Sequence, residues 1–369
     1  MRLLVLNGPN LNLLGRRRPE VYGSTTLAQL EEMTTAWAEE IGFVSVDTFQ
    51  SNHEGALIDR IHQTDADGIV FNPGAYTHTS YALHDALESV AIPTVEVHIS
   101  NVEEREPWRR ISVVRPACLH TVYGRGIDGY RWAIRHLAAE LGHPSTRIPY
   151  GDGPSRFLDL RFPAGEGPHP VVFLVHGGFW RHFWTHDLMS TLALDLVGRG
   201  LAVANVEYRR CGAGGSGATF PADVAAAVDL VADLPEIDPG RMGMAGHSAG
   251  GHLTLLEATR GRLQVAVGMG AVTDLVAGVA ADLGSGAVLA YLDGVEPARL
   301  SPCHGPRPEG EVLLVHGTSD DRVPVSQAET YASTFPETRL ELIEGADHFG
   351  FLDPADPLWT PVADALETL

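Results

Sequence analysis

The chain has 369 residues, a length that suggests two domains. Its formal net charge is -21 at pH 7, and all 26 basic residues are arginine, so the chain contains no lysine. The acidic balance argues against nucleic acids and anionic membranes as partners. The lack of lysine excludes Schiff-base catalysis and a P-loop.

The cysteines and the apolar runs place the protein in a broad class. Three widely separated cysteines form neither a disulfide framework nor a metal-binding set, and they suit a reducing cytoplasm. No apolar run is long enough for a signal peptide or a membrane span. We therefore expect a cytoplasmic protein without membrane or nucleic-acid partners.

Strand-like and helix-like patterns alternate through the first part of the chain. Short apolar runs predict buried strands, and longer segments with apolar residues three or four apart predict helices. Such alternation predicts a parallel sheet with helices on both faces. The predicted strands are 3–6, 44–49, 68–71, 94–99 and 118–123, and the predicted helices are 25–41, 54–62, 81–90 and 129–141.

A long loop, residues 7–23, follows the first predicted strand. It contains five glycines or prolines and no periodic pattern. Three arginines, 16–18, precede Tyr22 in this loop. Guanidinium groups favour a tyrosinate, which can serve as a general base. The alternative is a solvated basic loop with a packed tyrosine.

Polar side chains follow four of the predicted strands, where ligands bind in parallel sheets. In Glu96-Val97-His98 the carboxylate and the imidazole share one face of a strand, so the carboxylate can orient and charge the ring. The other polar positions at these strand ends are Asn7, Asn10, Ser51, Asn52, His53, Asn72, Thr77, His78, Ser80, Ser100 and Asn101.

Four segments carry a resemblance to a known family: NGPNLNLLGRRRPEVYG, QSNHEGALID, NPGAYTHTSYALHDA and EVHISNVEEREPWRRISVV. In order and spacing, residues 1–142 resemble the type II 3-dehydroquinate dehydratases. The resemblance implies a flavodoxin-like domain that forms a homododecamer. It also implies loss of water from the anion 3-dehydroquinate, a step of the shikimate and quinate pathways, with no metal or cofactor.

The same resemblance implies roles for individual residues. Tyr22 would remove the C2 proton, Arg17 would hold Tyr22 as tyrosinate, and His98, paired with Glu96, would protonate the departing hydroxyl. The implied substrate-contacting residues are Asn10 through a water, Asn72, His78, Ile99, Ser100, Arg109, and Asp85 from a neighbouring subunit, while Arg105 would close with a lid loop.

A second alternation follows residues 143–155, which are rich in Gly, Pro and Ser and predict a linker. Residues 156–369 therefore predict a second α/β domain. Its predicted strands are 157–162, 171–175, 201–207, 242–245, 265–269, 312–315 and 340–343, with helices at 223–234, 252–259 and 327–335.

The motif Gly246-His247-Ser248-Ala249-Gly250 lies between a predicted strand and a predicted helix, as in a nucleophile elbow. The earlier segment 176–180, HGGFW, offers backbone N–H groups for an oxyanion hole. Asp320 and His348 follow two later strands, and the order Ser, Asp, His is that of α/β-hydrolases.

Residues 148–369 resemble α/β-hydrolases of the esterase and kynurenine-formamidase-like group. The resemblance implies Ser248 as nucleophile, His348 as base and Asp320 as the orienting acid, chosen over Asp321 by its spacing to Val323-Pro324. The oxyanion donors would be the N–H groups of Gly178 or Phe179 and of Ala249, and residues 273–300 would form a cap. The substrate would be a small acyl ester or formamide.

The G-x-G-x-x-G match at 212–217 opens no helix at its last glycine, so we interpret it as a flexible loop.

The chain is predicted to be a bifunctional lyase and hydrolase. In the alternative, only the serine hydrolase is active and the N-terminal domain is an oligomerisation scaffold.

Overall fold

The computed structural model describes residues 1–17 and 22–369, apart from the side chain of Glu103. Arg18, the last of the three loop arginines, therefore lies outside the described residues. The chain forms two compact units, residues 1–144 and 145–369. Among the described residues, no helix combines the length and the apolar character needed to cross a bilayer.

The first unit contains a five-stranded parallel sheet in the order β2-β1-β3-β4-β5. This is the strand order of flavodoxin-like folds, as predicted. The strands are β1 Arg2–Asn7, β2 Ser45–Gln50, β3 Gly68–Asn72, β4 Thr94–His98 and β5 His120–Tyr123. The helices are α1 Leu27–Glu40, α2 Glu54–Gln63, α3 Tyr81–Val90 and α4 Asp128–Gly142.

Alternating side chains of the central strand divide between two apolar cores. Leu3 and Val5 pack with residues of α1 and α4, and Leu4 and Leu6 pack with residues of α2 and α3. Because successive side chains of a strand point to opposite faces, a continuous apolar run is what a strand covered on both faces requires. The carboxyl ends of the strands are left as the polar edge of the sheet.

Local hydrogen bonds set the ends of two predicted elements. The helix predicted from residue 25 begins at Leu27, because Thr26 caps it reciprocally with Gln29 through bonds of 2.9 and 3.3 Å. The strand predicted from residue 118 begins at His120, because a 3-10 turn at Arg115–Ala117 is closed by the Cys118 N–H on the Arg115 carbonyl at 3.0 Å.

The second unit contains an eight-stranded sheet in the order β13-β12-β11-β10-β8-β9-β7-β6. Only the pairings β6–β7 and β7–β9 are antiparallel, which gives the mixed sheet of an α/β-hydrolase. The strands are β6 Thr146–Pro149, β7 Phe157–Arg161, β8 His169–Val175, β9 Ala202–Glu207, β10 Ile237–His247, β11 Val265–Met269, β12 Glu311–Gly317 and β13 Arg339–Ile343.

The helices of this unit follow the strands, and three short ones lie in the predicted cap. The helices are α5 Ser190–Gly198, α6 Thr219–Ala232, α7 Ala249–Ala258, α8 Leu275–Ala280, α9 Ala287–Leu292, α10 Pro297–Leu300, α11 Ser326–Thr334 and α12 Thr360–Leu366.

One predicted segment needs correction. The predicted linker 143–155 contains β6, which pairs with β7 at the edge of the sheet. Three of the four β6 residues are exposed, so the strand carries no alternation of apolar side chains. Its Pro149 is tolerated because an edge strand has ladder positions that need no N–H donor.

Candidate active sites

The first candidate site is a cleft at the carboxyl ends of β3 and β4. Most residues predicted for the dehydratase site meet there, from the first loop, from two strand ends and from the segment that follows β4. The predicted residues that line the cleft are Arg17, Tyr22, Asn72, His78, His98, Ile99, Ser100, Arg105 and Arg109. The cleft thus combines a phenol, an imidazole and several guanidinium groups.

Two arginines contact Tyr22 in different ways. Arg105 donates a hydrogen bond of 2.9 Å to the Tyr22 hydroxyl and another of 3.3 Å to Ser100 Oγ. The guanidinium carbon of Arg17 lies 5.3 Å from the centre of the Tyr22 ring. The family resemblance implied that Arg17 holds the tyrosinate, whereas the direct contact with the hydroxyl is made by Arg105.

The imidazole of His98 is paired with the buried carboxylate of Glu96. His98 Nε2 lies 2.8 Å from Glu96 Oε1. Burial alone would raise the pKa of Glu96, but His98 and the Thr77 hydroxyl lower it below its ordinary 4.5. An ionised carboxylate only accepts hydrogen bonds, so His98 donates through Nε2, and Nδ1 is the ring nitrogen not engaged by Glu96.

Three hydroxyl groups complete the surroundings of this carboxylate. Thr77 donates to Glu96, Ser112 Oγ lies 3.0 and 3.1 Å from its two oxygens, and Thr121 Oγ1 lies 3.4 Å away. Sequence reasoning singled out Thr77 at a strand end but missed Ser112 and Thr121. They come from separate elements, and no local motif marks them.

The side chain of Asn72 is fixed from both ends of its amide. Its Nδ2 donates to the Tyr130 hydroxyl at 2.9 Å, and its Oδ1 accepts from the Gly74 N–H at 3.1 Å. Tyr130 donates in turn to Asn7 Oδ1 at 2.7 Å. Burial raises the pKa of Tyr130 well above its ordinary value, so the phenol stays a neutral donor.

His78 and Arg109 are held by the segment that follows β4. His78 Nδ1 lies 2.7 Å from the Ile111 carbonyl, and burial lowers the pKa of this histidine. The neutral ring therefore donates to that carbonyl. Arg109 lies 4.0 Å above the Trp108 ring and pairs with Glu106 at 3.0 Å.

Two predicted residues do not line this cleft. Asn10 has a left-handed backbone, with φ of 67°, and its N–H donates to Asn52 Oδ1 at 2.8 Å. Its neighbours Pro9 and Leu11 do line the cleft. Asp85 lies on the exposed side of α3.

The second candidate site is built around Ser248, between β10 and α7. Ser248 has φ of 55° and ψ of -114°, an unfavourable conformation that a nucleophile elbow imposes. Its N–H donates to the Met269 carbonyl at 2.8 Å. Gly250 must be glycine, since a Cβ there would overlap the Val175 carbonyl.

His348 is paired with Asp320, whereas the neighbouring Asp321 is largely exposed. The distance from His348 Nδ1 to Asp320 Oδ2 is 2.6 Å, and His316 Nε2 lies 3.2 Å from the same oxygen. Burial alone would raise the pKa of Asp320, but hydrogen bonds from His316 and His348 hold it well below its ordinary value. The ionised carboxylate engages His348 Nδ1, so Nε2 is the ring nitrogen that Asp320 does not engage.

A third histidine, His247, supports His348 and was missed by sequence reasoning. Burial, together with the positive charge that His348 can carry, lowers the pKa of His247 to about 3. Its Nε2 lies 2.9 Å from the His348 carbonyl. The neutral ring therefore donates to the backbone that carries the proposed base.

The loop that contains two of the predicted oxyanion donors approaches Ser248 closely, and the third donor, Ala249, directly follows it. A Cβ on Gly177 would lie 2.9 Å from the Ser248 Cβ, which shows how closely this loop approaches the serine. Ala249 is the first residue of α7, so its N–H has no acceptor within the helix. Within residues 1–17 and 22–369, no hydrogen-bond acceptor is assigned to the N–H groups of Gly178 and Phe179.

Comparison with known proteins relates the two units to different families. Residues 1–138 match the family model Dehydroquinase class II, and residues 158–274 match the model BD-FAE. A truncated carbohydrate esterase from gut microbiota covers 61% of this chain and 96% of its own, with a TM-score of 0.52 and 19% identity. At that identity the likeness establishes the α/β-hydrolase fold alone.

The relatives of the first unit are much more similar. A 3-dehydroquinate dehydratase from Anoxybacillus flavithermus is 55% identical over 139 residues, which are 37% of this chain and 93% of the relative. Catabolic 3-dehydroquinase 1 from Aspergillus terreus is 54% identical over 141 residues, 38% of this chain and 92% of the relative. Through its first 138 residues, the chain belongs to the class II dehydroquinases.

Proposed function

We propose that the first unit dehydrates 3-dehydroquinate to 3-dehydroshikimate and that the second unit hydrolyses a small acyl ester or formamide. The observation that carries the first proposal is that Tyr22 and His98 line one cleft together with Arg17, Arg105 and Arg109. A general base, a general acid and cationic groups for a carboxylate are what elimination from this anion requires.

Proton removal is assigned to Tyr22. As tyrosinate it takes the C2 proton next to the ketone of the substrate, and the electron pair moves into an enolate. The Arg105 guanidinium, 2.9 Å from the phenol oxygen, stabilises the tyrosinate before this step. Arg17, over the ring face, adds positive charge on the same side, and Asn10 is assigned to a water that contacts the enolate.

Departure of the C1 hydroxyl is assigned to His98. Its imidazolium donates a proton to the leaving oxygen, water departs, and the enolate electrons form the carbon–carbon double bond. The ionised Glu96, 2.8 Å from Nε2, stabilises the charged ring before the transfer. The backbone at Ile99 and Ser100, with Asn72, His78 and Arg109, is assigned to the carboxylate and the other hydroxyls of the substrate.

The proposed dehydratase function includes assembly of the chain into a homododecamer. The exposed position of Asp85 on α3 would let it reach the cleft of a neighbouring subunit in a homododecamer. Light scattering on the intact chain tests the assembly.

Ester cleavage is assigned to Ser248, His348 and Asp320. The Ser248 Oγ attacks the acyl carbon while His348 takes its proton, and the tetrahedral oxyanion accepts bonds from Ala249 and from Gly178 or Phe179. His348 then protonates the leaving alcohol or amine, and water releases the acyl group by the reverse sequence. The pairing of His348 with Asp320 at 2.6 Å carries this proposal.

One experiment tests both proposals on the intact chain. The absorbance of the enone product is followed after addition of 3-dehydroquinate to wild type, Tyr22→Phe and Ser248→Ala. We expect activity in wild type and Ser248→Ala and its loss in Tyr22→Phe. Cleavage of p-nitrophenyl acetate should be present in wild type and Tyr22→Phe and lost in Ser248→Ala. Wild type that turns over the ester but never 3-dehydroquinate would favour the scaffold alternative for the first unit.

A further inference from the structure

Three successive residues of the hydrolase unit join the oxyanion loop, residues 177–181, to the cap, residues 273–300. Phe179, Trp180 and Arg181 each contact the cap through a different kind of interaction. These residues directly follow Gly178, which carries one of the proposed oxyanion donors. The loop that carries the proposed oxyanion donors is therefore in direct contact with the cap.

The Phe179 ring packs directly against the backbone of Gly284. A Cβ on Gly284 would lie 2.7 Å from Cδ1 of Phe179, and Gly284 has φ of 70°. A side chain at position 284 would therefore push on the Phe179 ring. The same cap loop contains Gly286, with φ of 78°, where a Cβ would meet no atom within 4 Å. The two glycines share a backbone conformation and differ in this contact.

The next two residues contact the cap by stacking and by hydrogen bonds. The rings of Trp180 and Tyr291 are fully buried and stack at 4.3 Å with an interplanar angle of 27°. The Arg181 guanidinium donates to the Gly284 carbonyl at 2.6 Å and to the Ser285 carbonyl at 3.4 Å. Tyr291 belongs to α9, so the loop is fixed to a helix of the cap as well as to its turn.

The backbone of the oxyanion loop needs such support. Gly178, Phe179 and Trp180 have φ of 108°, 51° and 56°. Positive φ is unfavourable for bulky side chains and persists only where the surroundings impose it. These dihedrals set the directions of the Gly178 and Phe179 N–H groups. The contacts that fix the loop backbone therefore also orient these two donors.

The cap is itself fixed at both ends. The Leu275 N–H donates to Ser301 Oγ at 2.8 Å, and the Cys303 N–H donates to the Thr273 carbonyl at 3.0 Å. His252, on the helix that follows Ser248, lies 2.7 Å from the Leu300 carbonyl through Nε2. The cap is therefore a fixed platform for the loop.

We propose that the cap maintains the oxyanion loop in its catalytic conformation, which makes Arg181 and Gly284 positioning residues of the hydrolase. The proposal rests on the proposed esterase function of this unit. It assigns the cap a part in stabilising the transition state, in addition to enclosing the substrate. Interactions that act only in the transition state change kcat rather than KM.

The test compares two matched pairs of variants in the intact chain, with p-nitrophenyl acetate as substrate. Gly284→Ala is paired with Gly286→Ala, and Arg181→Met is paired with Arg199→Met, whose arginine forms surface ion pairs with Asp195 and Glu367. For Gly284→Ala and Arg181→Met we expect kcat to fall about 10- to 100-fold with KM within about threefold. Affinity for an arylboronic acid, which mimics the tetrahedral intermediate, should fall by a similar factor.

For the controls Gly286→Ala and Arg199→Met, kcat and KM should stay within about twofold of the wild-type values. If Gly284→Ala fails to fold, Arg181→Met carries the test. An equal loss of kcat in Gly284→Ala and Gly286→Ala would overturn the proposal. So would a change confined to KM, since the cap would then act on substrate binding alone. Failure of the proposed function has a different signature: wild type neither cleaves the ester nor reacts at Ser248 with a fluorophosphonate.

Discussion

Arg105 donates a 2.9 Å hydrogen bond to the hydroxyl of Tyr22, although the two residues are 83 positions apart in the chain. Arg17, only five positions from Tyr22, contacts the ring rather than the oxygen. A hydrogen bond from a guanidinium to an oxygen that carries negative charge is stronger than one between neutral groups. The segment after β4 therefore supplies the contact that most directly favours the tyrosinate.

Replacement of Arg105 should impair dehydration more than the binding of substrate. For Arg105→Met we expect kcat with 3-dehydroquinate to fall about 10- to 100-fold, since a hydrogen bond to a charged group contributes about 1.5–3 kcal/mol. Formation of the enone, followed by absorbance, measures the rate. Arg60→Met is the control, because Arg60 lies on α2 and pairs with Asp47 on β2. An Arg105→Met variant with the kcat of wild type would contradict the assignment.

The hydroxyl of Ser112 should affect His98, the proposed acid, through its contact with Glu96. The folded-state pKa of Glu96 lies below 4.5, so this group contributes stability above about pH 4.5 that is lost as the pH falls through the lower value. Loss of the Ser112 contact raises that pKa. In Ser112→Ala we expect kcat to fall about tenfold and the acid limb of its pH profile to move to higher pH.

The same variant has a stability readout. Acid unfolding of Ser112→Ala should begin at higher pH than in wild type, because protonation of Glu96 becomes easier. Ser45→Ala, at an exposed position on β2, is the matched control. An unchanged acid limb together with unchanged acid unfolding would show that Ser112 does not act on Glu96.

Most of the fold could be predicted because buried parallel strands are continuous apolar runs. The observed bounds of α3, 81–90, and of β11, 265–269, coincide with the prediction. β6 was missed because an exposed edge strand has no core face to impose alternation. The start of a helix shifted where the Thr26 cap decided it, and the start of a strand shifted where the turn at Arg115 decided it.

The candidate sites were predictable where one short motif carries the chemistry. Ser248 and the Glu96–His98 pair lie in local patterns whose geometry follows from a turn or from the period of a strand. The contacts of Arg105 with Tyr22 and of Ser112 with Glu96 join distant segments. Their partners are set by how loops pack, which periodicity does not encode.

The choice between two adjacent carboxylates is directly testable. Asp320 lies 2.6 Å from His348, and Asp321 is exposed and pairs with Arg322 at 3.3 Å. We expect Asp320→Asn to lower kcat for p-nitrophenyl acetate about 10³- to 10⁴-fold, because the amide no longer holds the histidine in its basic tautomer. In Asp321→Asn, kcat should stay within about twofold of the wild-type value. A larger loss of kcat in Asp321→Asn than in Asp320→Asn would reverse the assignment.

Glu257, on the helix that follows Ser248, should make the stability of the second unit depend on pH near neutrality. It is 3% exposed, and burial raises its pKa to about 7 even though Arg260 donates to it at 2.8 Å. Because the pKa is raised on folding, the stabilisation is complete below the ordinary value of 4.5 and is lost as the pH rises through 7.

Removal of the Glu257 carboxylate should weaken the dependence of the free energy of unfolding on pH. In Glu257→Gln, the decrease in the free energy of unfolding between pH 5 and pH 8 should be smaller than in wild type by about 2 kcal/mol. Urea unfolding at the two pH values measures it, with Glu337→Gln, an exposed partner of Arg307, as the control. If wild type and Glu257→Gln lose the same free energy over this interval, Glu257 is already ionised at pH 5 in the folded protein, and the Arg260 pair outweighs its burial.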